Sequence, residues 1–515
     1  MSKRIGCLLL CLLMLPTLAM AENVEDAIVI GMISTRTTEI RPLMPSERDM
    51  ISLYGMVYES LVVIDDNGIP QPSLAESWSE ASSGKTWTFV LRENVVFSDG
   101  TPLTAQDVVA SCQYILDMAK NEELTDKGFY QNMKYLVSAI SVVDERTIEV
   151  KAGRSYYGFL YSMTFPVVPA SQVDMASPLG TGPYVISSFE PVSYMWLVSN
   201  ENWWQNKPQV EQITVNFYTN NKTLITDYEY SQVDAAFTRS VAAAQYKSGI
   251  NSLSIPYTTR QLETLLLHHK EFPLDSAKVR QAITLAINKA SIAKNVYMGM
   301  TINADTPVPS DGWLYNDDLE SSFVYNPEKA AALLEEDGWT DPDGDGQLNK
   351  VVDGKTKNFV LRLIVYEDPD NDVRFEAANM IKDMLKVVGI DVNVEQVTYA
   401  DALEKMKAGS FDMALCAFQI DVVPDWGFFL RKGNNENYCR YASTEMTDLI
   451  DTLRTQQNQA EFAYTSQEIQ QQFATDMPFV CLFYRTGAIL TRKMFTTVRT
   501  IREFELLRGI EAFGR

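Results

Sequence analysis

Residues suited to binding chemistry follow one strongly apolar run near the C-terminal end of the chain. The run Met413–Phe418 has the composition of a buried strand, and an acid, Asp421, comes three residues after it. Pro424 and the aromatic Trp426 follow shortly afterwards. A carboxylate, a proline turn and an aromatic ring are groups with which a protein can orient a polar ligand, so we expect the functional site here.

Signatures of catalysis are absent from the sequence. It contains no GxSxG nucleophile motif, no HExxH zinc motif and no phosphate-binding P-loop. Its two histidines, His268 and His269, are neighbours in a strand-like segment, and adjacent strand residues point to opposite faces. They cannot chelate one metal together without distortion. With two neighbouring histidines, a Ser-His-Asp or Cys-His catalytic triad is difficult to build. We therefore expect a protein that is not an enzyme and that uses no cofactor.

One short acidic loop has the spacing of the first half of a calcium site. In DPDGDGQLN, positions 1, 3 and 5 of an EF-hand loop are Asp341, Asp343 and Asp345, and position 6 is Gly346. Position 12, where a bidentate glutamate belongs, is Val352. The same residues also make an ordinary Asp-Gly turn. We predict no metal site, with calcium as the open alternative.

The elements that must position the acid lie in residues 359–431. The apolar pattern predicts strand, helix, strand, helix and strand, at Phe359–Tyr366, 371–388, Ile390–Val394, Ala400–Lys407 and Met413–Phe418. Gly389 stands where a helix C-cap belongs. Such a βαβαβ unit builds a parallel sheet covered by helices. Ligands of these sheets gather beyond the carboxyl ends of the strands, which is where Asp421 leaves the last strand.

Other segments predict further strands and helices along the chain. Helical spacing covers Arg48–Leu61, and a second helix, 105–119, begins with the capping-box pair Thr104 and Asp107. Alternating or apolar strands are predicted at Ile28–Ile33, Trp87–Leu91, Val137–Val143, Thr147–Val150, Ile213–Tyr218, Leu262–His269 and Phe479–Phe483.

The bulk composition describes an acidic, globular chain of more than one domain. Its 515 residues are 46% hydrophobic and 22% charged, and the formal charge is −23. This length exceeds one ordinary domain, so about two or three domains are expected. Nucleic acid and anionic lipid repel so negative a protein, so we expect no nucleic-acid partner.

The N-terminal residues have the pattern of a secretory signal peptide. A basic start, Lys3 and Arg4, precedes the apolar run Ile5–Leu18 and a small-x-small cleavage site that ends at Ala21. The run is shorter than the roughly 20 residues that a membrane span needs. We expect cleavage after Ala21 and export to the periplasm or the cell surface.

The cysteines do not define the fold. The four that remain after cleavage are scattered and form no CxxC pair: Cys112, Cys416, Cys439 and Cys481. Export permits a disulfide, but small buried thiols are the expected state. Cys7 and Cys11, in the leader, do not follow a full apolar core, so we predict no lipid anchor.

Several strings in the chain resemble one family. They are YESLVVIDDNGIPQPSLAESW, WTFVLRENVVFSDGTPLTAQDVV, PLGTGPYVI, VRQAITLAINKASI, YNPEKAAALLEEDGW and FDMALCAFQIDVVPDWGFFL, from about residue 55 to 430. In this order they resemble the extracytoplasmic solute-binding proteins of ABC importers, the family 5 cluster of dipeptide-, oligopeptide- and nickel-binding proteins. Any one string alone is a weak signal, whereas their order is specific.

The resemblance implies an α/β fold with mixed sheets, arranged as a two-lobed clamp like that of type II periplasmic binding proteins, with an extra third domain. Transferred to this chain, domain I comprises residues 22–50, 170–262 and 488–515. Domain II comprises residues 51–169, and domain III comprises residues 263–487. The two hinge strands are expected near residues 262–270 and 484–490.

The resemblance also implies a role for the acid. In the peptide-binding branch, an aspartate after the corresponding strand pairs with the α-ammonium of the peptide, which makes Asp421 the anchor and Phe418 its aromatic neighbour. Truncating one partner of such a buried pair costs on the order of 3–5 kcal/mol. In the competing interpretation, Asp421 only caps the loop before Pro424. The chain also departs from the family, with Phe418 in place of the usual tryptophan and Val422 and Val423 in place of more polar or aromatic residues.

Three further residues are candidates for the same cleft. Trp426 and Tyr438 are placed to line it, although aromatic residues of such loops are as often packing residues. Arg374, near the start of the 371–388 helix, has a guanidinium fork suited to a ligand carboxylate. A solvated arginine on the helix face is the other interpretation.

Together these features predict an exported, monomeric receptor that captures peptides between two lobes and delivers them to the permease subunits of an ABC importer. Within the family, the alternative is a non-peptide ligand such as a nickel chelate, an oligosaccharide or an opine-like amine. A peptide sensor for a signalling partner would use the same clamp, and a hydrolase is the remaining alternative.

Overall fold

The computed structural model describes residues 27–81, 84–153, 157–246, 253–310, 312–319, 323–367, 373–420, 424–492, 501–507 and 509. The predicted signal peptide, residues 1–21, lies outside these residues, and so does Asp421.

The N-terminal half contains strands and a few helices in the order of the chain. The strands are β1 (Ala27–Ile33), β2 (Val62–Ile64), β3 (Pro70–Pro72), β4 (Ala75–Glu80), β5 (Thr86–Leu91), β6 (Val137–Val142), β7 (Thr147–Ala152), β8 (Tyr184–Glu190), β9 (Tyr194–Ser199), β10 (Gln212–Tyr218), β11 (Ala235–Thr238) and β12 (Leu253–Leu267). The helices are α1 (Arg48–Tyr54), α2 (Ala105–Lys120), α3 (Met133–Leu136) and α4 (Asn221–Glu229).

The C-terminal half is richer in helices. Its helices are α5 (Ala277–Ala286), α6 (Lys289–Asn295), α7 (Pro327–Glu336), α8 (Val373–Val387), α9 (Tyr399–Ala408), α10 (Gly427–Leu430), α11 (Thr444–Leu453) and α12 (Gln459–Asp476). Its strands are β13 (Thr301–Asn303), β14 (Asn349–Val352), β15 (Lys355–Asn358), β16 (Val360–Tyr366), β17 (Asp391–Val397), β18 (Met413–Gln419) and β19 (Phe479–Thr491).

Among the described residues, the largest sheet has eleven strands and mixed parallel and antiparallel pairing. Ten of them follow the order β17-β16-β18-β12-β19-β11-β1-β10-β9-β8, and β13 pairs with β19. The predicted mixed α/β fold is therefore confirmed. A separate four-stranded sheet, β4-β5-β7-β6, contains the strands that the sequence predicts at Trp87–Leu91, Val137–Val143 and Thr147–Val150.

The two long strands β12 and β19 connect both ends of the large sheet. The second half of β12 pairs with β18, whereas the second half of β19 pairs with β11. Their mutual pairing passes from Thr258 with Thr486 to Leu262 with Tyr484, a shift that we call the register break. The break falls close to the predicted hinge segments. The domain boundaries themselves remain a prediction.

The βαβαβ unit is present as predicted. β16 pairs in parallel with both β17 and β18, and α8 and α9 make the connections. On α8 the apolar positions are buried at Ala377, Ile381 and Leu385, in a core with the strands of the unit. Gly389 adopts φ +81° just after the helix, the left-handed conformation of a helix end.

Besides β12, which begins at Leu253 and not at the predicted Leu262, two elements differ in length from the sequence expectation. The helix predicted for Arg48–Leu61 ends at Tyr54, because the carbonyls of Met56 and Val57 accept hydrogen bonds from Tyr184 and Gly182 instead of continuing the helix. The strand predicted for Phe479–Phe483 extends to Thr491, and all of its residues are buried. In both cases tertiary pairing overrides the local pattern.

The GTGPY segment is a tight packing junction. A Cβ atom on Gly180 would lie 1.9 Å from the carbonyl oxygen of Val57, and one on Gly182 would lie 2.7 Å from that of Met56. Only glycine allows the two backbone segments to approach this closely.

Candidate functional site

The carboxyl ends of β16, β17 and β18 meet at one edge of the sheet, because the three strands are parallel. We call this the carboxyl edge, comprising Tyr366, Glu367, Thr398, Tyr399, Gln419 and Ile420. The rings of Tyr366 and Tyr399 pack edge to face with centroids 5.2 Å apart. Tyr399 is exposed, so this edge offers an aromatic surface to solvent.

Phe418 lies at the base of an aromatic cluster next to this edge. It is buried and stacks on Phe429 at 5.0 Å and on Tyr438 at 6.5 Å, the latter with a 3° angle between the ring planes. Tyr438 is only partly buried, and burial raises its pKa to about 12. Phe418 therefore supports the ring of Tyr438, and Tyr438 is the member of this pair that solvent reaches.

Trp426 does not have the environment expected of a residue that lines the cleft. Its side chain is 4% exposed and belongs to the main apolar core. The preceding Asp425 accepts two hydrogen bonds from Arg454, at 2.9 and 3.1 Å, which fix this turn. A core indole next to an ion-paired turn has the environment of a packing residue.

Arg374 also departs from the expectation of a ligand-facing or solvated side chain. It is 2% exposed, and its guanidinium donates to both carboxylate oxygens of Glu263, at 3.0 and 2.9 Å. Burial opposes the charge, but Glu263 more than offsets it and raises the pKa of Arg374. Its guanidinium also lies 4.3 Å from the ring centroid of Tyr366. The carboxylate partner of Arg374 in this structure is internal.

The position of Asp421 is constrained only through its neighbours, since residues 421–423 lie outside the described residues. Gln419 pairs with Gln261 of β12, and the Ile420 N–H donates to the Arg260 carbonyl at 2.8 Å. Arg260 and Gln261 lie within the register break. The chain therefore leaves β18 beside the two long strands.

One acidic side chain near this edge was not identified from the sequence. Glu436 is exposed to solvent, yet the surrounding protein raises the pKa of its carboxyl group. Burial by neighbouring groups disfavours the ionised form of this carboxyl group. Its charge also acts on the ring of Tyr438. No sequence motif marks Glu436, whereas Tyr366 and Tyr399 could have been found from the rule that strand ends carry ligand contacts.

The structure also shows the surroundings of the acidic loop, the two histidines and the four cysteines. Asp341, Asp343 and Asp345 are exposed, with carboxylate oxygens within 4.8 Å of one another, and Asp341 accepts backbone N–H donors of its own turn. His268 packs on Phe411 and His269 on Tyr441, and both follow β12, which ends at Leu267 and not at the predicted His269. Free, buried thiols are found at each cysteine of the described residues: Cys112, Cys416, Cys439 and Cys481.

Within the described part of the chain, no helix combines the length and the apolar character that crossing a membrane requires.

Comparison with known proteins places this architecture among binding proteins. The family of bacterial extracellular solute-binding proteins, family 5 (middle region), matches residues 70–438. The oligopeptide-binding protein AppA of Bacillus subtilis is 25% identical over 480 residues, which cover 89% of this chain and 86% of that protein. The nickel-binding periplasmic protein of Escherichia coli is 28% identical over 374 residues, covering 70% of this chain and 69% of that protein.

The fold agrees with that of a solved relative. The structure of Bacillus subtilis AppA in complex with a nonapeptide superposes with a TM-score of 0.69 at 21% identity, and the match covers 95% of this chain and 99% of that one.

Proposed function

The chain belongs to the bacterial extracellular solute-binding proteins of family 5, and from this premise we propose that it captures short peptides and delivers them to the permease of an ABC importer. Proteins of this family are binding components of transport systems and not enzymes. Beyond family membership, the proposal specifies three things. These are the ligand class, the two moving lobes and export through a leader that is cleaved after Ala21.

The observation that carries the proposal is the location of the aromatic carboxyl edge. This edge borders the register break of β12 and β19, where the large sheet passes from one end to the other. Ligands of parallel sheets bind at such edges, and a hinge beside the edge lets a second lobe close over them. An extended peptide in this cleft is held through backbone hydrogen bonds, in the manner of strand addition.

Asp421 is the proposed anchor of the peptide's α-ammonium. It directly follows Ile420, whose N–H is bound to Arg260 beside the register break. Tyr438, supported by Phe418, supplies an aromatic wall near the same strand end. Glu436, whose charge acts on Tyr438, adds a second carboxyl group near this wall, which favours a cationic group of the ligand.

The experiment compares peptide binding to the Asp421→Asn variant and to wild type by calorimetry, after bound ligand has been removed. Loss of a buried charge partner predicts a decrease in affinity on the order of 100-fold or more. Glu404→Gln, an exposed acid on α9 of the same unit, is the matched control and should bind as wild type does.

Affinity of Asp421→Asn within twofold of wild type would exclude the anchor. Binding of a nickel chelate, with no binding of any peptide, would favour the ligand class named for the Escherichia coli relative.

A further inference from the structure

A ligand carboxylate needs a cationic partner other than Arg374, because Glu263 already occupies that guanidinium. We propose that Arg48 and Arg239, with the hydroxyl of Tyr257, form a subsite for a carboxylate group of the captured ligand. We call these three residues the anion subsite. The inference rests on the proposed function, since it names a second chemical group that the same cleft recognises.

Arg48 is held at the border of the carboxyl edge. Its Nη1 donates to Oε1 of Gln261 at 3.3 Å, and Gln261 pairs with Gln419 at the end of β18. Its Nη2 lies 2.5 Å from a carboxylate oxygen of Glu503. The Arg48 side chain is 30% exposed, although its Nε and Nη2 atoms are themselves buried.

The charge of Arg48 is incompletely compensated. Its Nε and Nη2 have no well-aligned hydrogen-bond acceptor among the residues that the structure describes. Burial lowers the pKa of Arg48 even though Glu503 acts in the opposite direction, and Arg239 lowers it further. An additional anion at this position would offset both effects.

An internal acid orients Arg239 and leaves some of its N–H donors available to a ligand. Its Nη1 donates to Asp49 at 2.6 Å, and Asp49 is held in turn by the backbone N–H of Ile33. The Nε and the second amino group of Arg239 have no partner among the described residues, and the side chain is 24% exposed. An arginine whose rear edge is fixed by a carboxylate presents its other donors in a set geometry, which suits a carboxylate ligand.

Tyr257 supplies an unsatisfied donor to the same charged cluster. It is 3% exposed, and its buried hydroxyl has no hydrogen-bond partner within the described part of the chain. Burial raises its pKa, so the group remains a neutral donor. The ring packs directly on the backbone of β19, where a Cβ atom on Gly487 would lie 2.3 Å from the hydroxyl oxygen. Leaving a polar group buried and unpaired is unfavourable, and a ligand oxygen within reach of the hydroxyl would relieve this cost.

The anion subsite attracts a carboxylate through aligned donors and not through net charge. Asp49 and Glu503 balance the two guanidinium groups, so the cluster is formally neutral. Hydrogen bonds between charged groups are stronger than those between neutral groups. A peptide with a free C-terminal carboxylate should therefore bind about tenfold or more tightly than the same peptide as its amide.

The test measures the acid-to-amide affinity ratio of one tripeptide by calorimetry, for wild type and for Arg239→Lys. Lysine keeps the positive charge next to Asp49 but lacks the planar fork, so the ratio should fall toward one. Tyr257→Phe preserves the packing and should lower the ratio by a smaller factor. Arg431→Lys, in an exposed pair with Asp451, is the matched control and should keep the wild-type ratio. Melting temperatures identify any variant that has lost its fold.

Equal affinity of the acid and the amide for wild type would overturn the anion subsite and leave peptide capture intact. An unchanged ratio in a folded Arg239→Lys variant would also overturn it. Binding of neither peptide would instead refute the proposed function, and the subsite with it.

Discussion

At the residue scale, charge burial distinguishes structural groups from ligand-binding groups. Arg374 and Glu263 are almost completely buried and satisfy each other with two hydrogen bonds. The side chains of Arg48 and Arg239 are 30% and 24% exposed, and Arg48 retains donors without a well-aligned acceptor among the described residues. The same residue type therefore has a structural role in one part of the chain and a proposed binding role in another.

The first prediction concerns the buried pair Arg374–Glu263. Arg374→Ala should lower the free energy of unfolding by about 3–5 kcal/mol, because it leaves a buried carboxylate without its partner. Urea unfolding followed by circular dichroism measures the change. The double variant Glu263→Gln with Arg374→Met should recover much of the loss. An unchanged unfolding midpoint in Arg374→Ala would contradict the structural role.

The second prediction concerns His269 and pH. Burial, assisted by Arg280, lowers its pKa from 6.5 to about 4, and its ring Nε2–H donates to the carbonyl of Pro478 at 2.9 Å. Between these two pH values the unfolded chain binds more protons than the folded one. The contribution of His269 to stability is therefore complete above pH 6.5 and declines as the pH falls toward 4, by on the order of 2–3 kcal/mol.

Unfolding midpoints in urea at pH 7 and pH 5 measure this effect. His269→Gln should lose less stability than wild type over the same interval, because glutamine does not titrate. Equal losses in the two proteins would show that other groups account for the acid sensitivity.

At the element scale, close backbone approach fixes how the segments join. Gly180 lies against the carbonyl of Val57, and Gly182 donates its N–H to the same carbonyl at 2.9 Å. Next to them, Glu59 accepts hydrogen bonds from Thr181, Trp203 and Trp204. The sequence strings YESL, GTGPY and NWW thus meet at one junction.

The third prediction tests this junction. Gly180→Ala should destabilise the protein by about 1–3 kcal/mol, because the new Cβ would lie 1.9 Å from a backbone oxygen that cannot move freely. Thermal unfolding compares it with Gly55→Ala, whose Cβ would meet its nearest neighbour at 3.4 Å and whose φ is −60°. Equal melting temperatures for the two variants would contradict the packing argument.

Local patterns predicted some elements well and others poorly, for physical reasons. Helix α2 and the βαβαβ unit were found because capping and apolar periodicity act within a segment. The second half of β19 was missed, because Arg485, Thr486 and Gly487 have little strand character. Thr486 and Gly487 are buried in the sheet through long-range pairing with β12, and Arg485 pairs with β13.

The same distinction applies to the candidate site. The strand end that carries Phe418 was predictable from apolar patterning. The internal partner of Arg374 could not be predicted in this way, because Glu263 is 111 residues away in the chain. Arg48, Arg239 and Tyr257 come from three separate segments, and no local motif connects them.

At the scale of the whole molecule, a second contact joins the region of residues 51–169 to the C-terminal region, away from β12 and β19. The Tyr157 N–H donates to the Gln456 carbonyl at 2.7 Å, and its ring lies 5.5 Å from that of Phe462. Trp313 packs against Gly68, where a Cβ atom would lie 2.7 Å from the indole. We call Gly68, Tyr157, Trp313 and Phe462 the closure contact.

The fourth prediction is that the closure contact favours the ligand-bound arrangement of the lobes. Trp313→Ala removes an aromatic packing partner, and such contacts contribute about 0.5–1.5 kcal/mol beyond their buried area. Peptide affinity should fall about threefold to tenfold, because fewer molecules occupy the closed form. Small-angle X-ray scattering of the ligand-free variant should give a radius of gyration equal to or larger than that of wild type.

Tyr325→Ala, an exposed aromatic residue in the same region, is the control. If Trp313→Ala and Tyr325→Ala bind peptide as wild type does, the contact has no part in closure.

Native mass spectrometry of the protein as purified tests the central claim of peptide capture most directly. The proposed function predicts a heterogeneous set of bound masses that fragment into short peptide sequences and are released intact. A single non-peptide adduct on the folded protein, such as a nickel chelate, would contradict it.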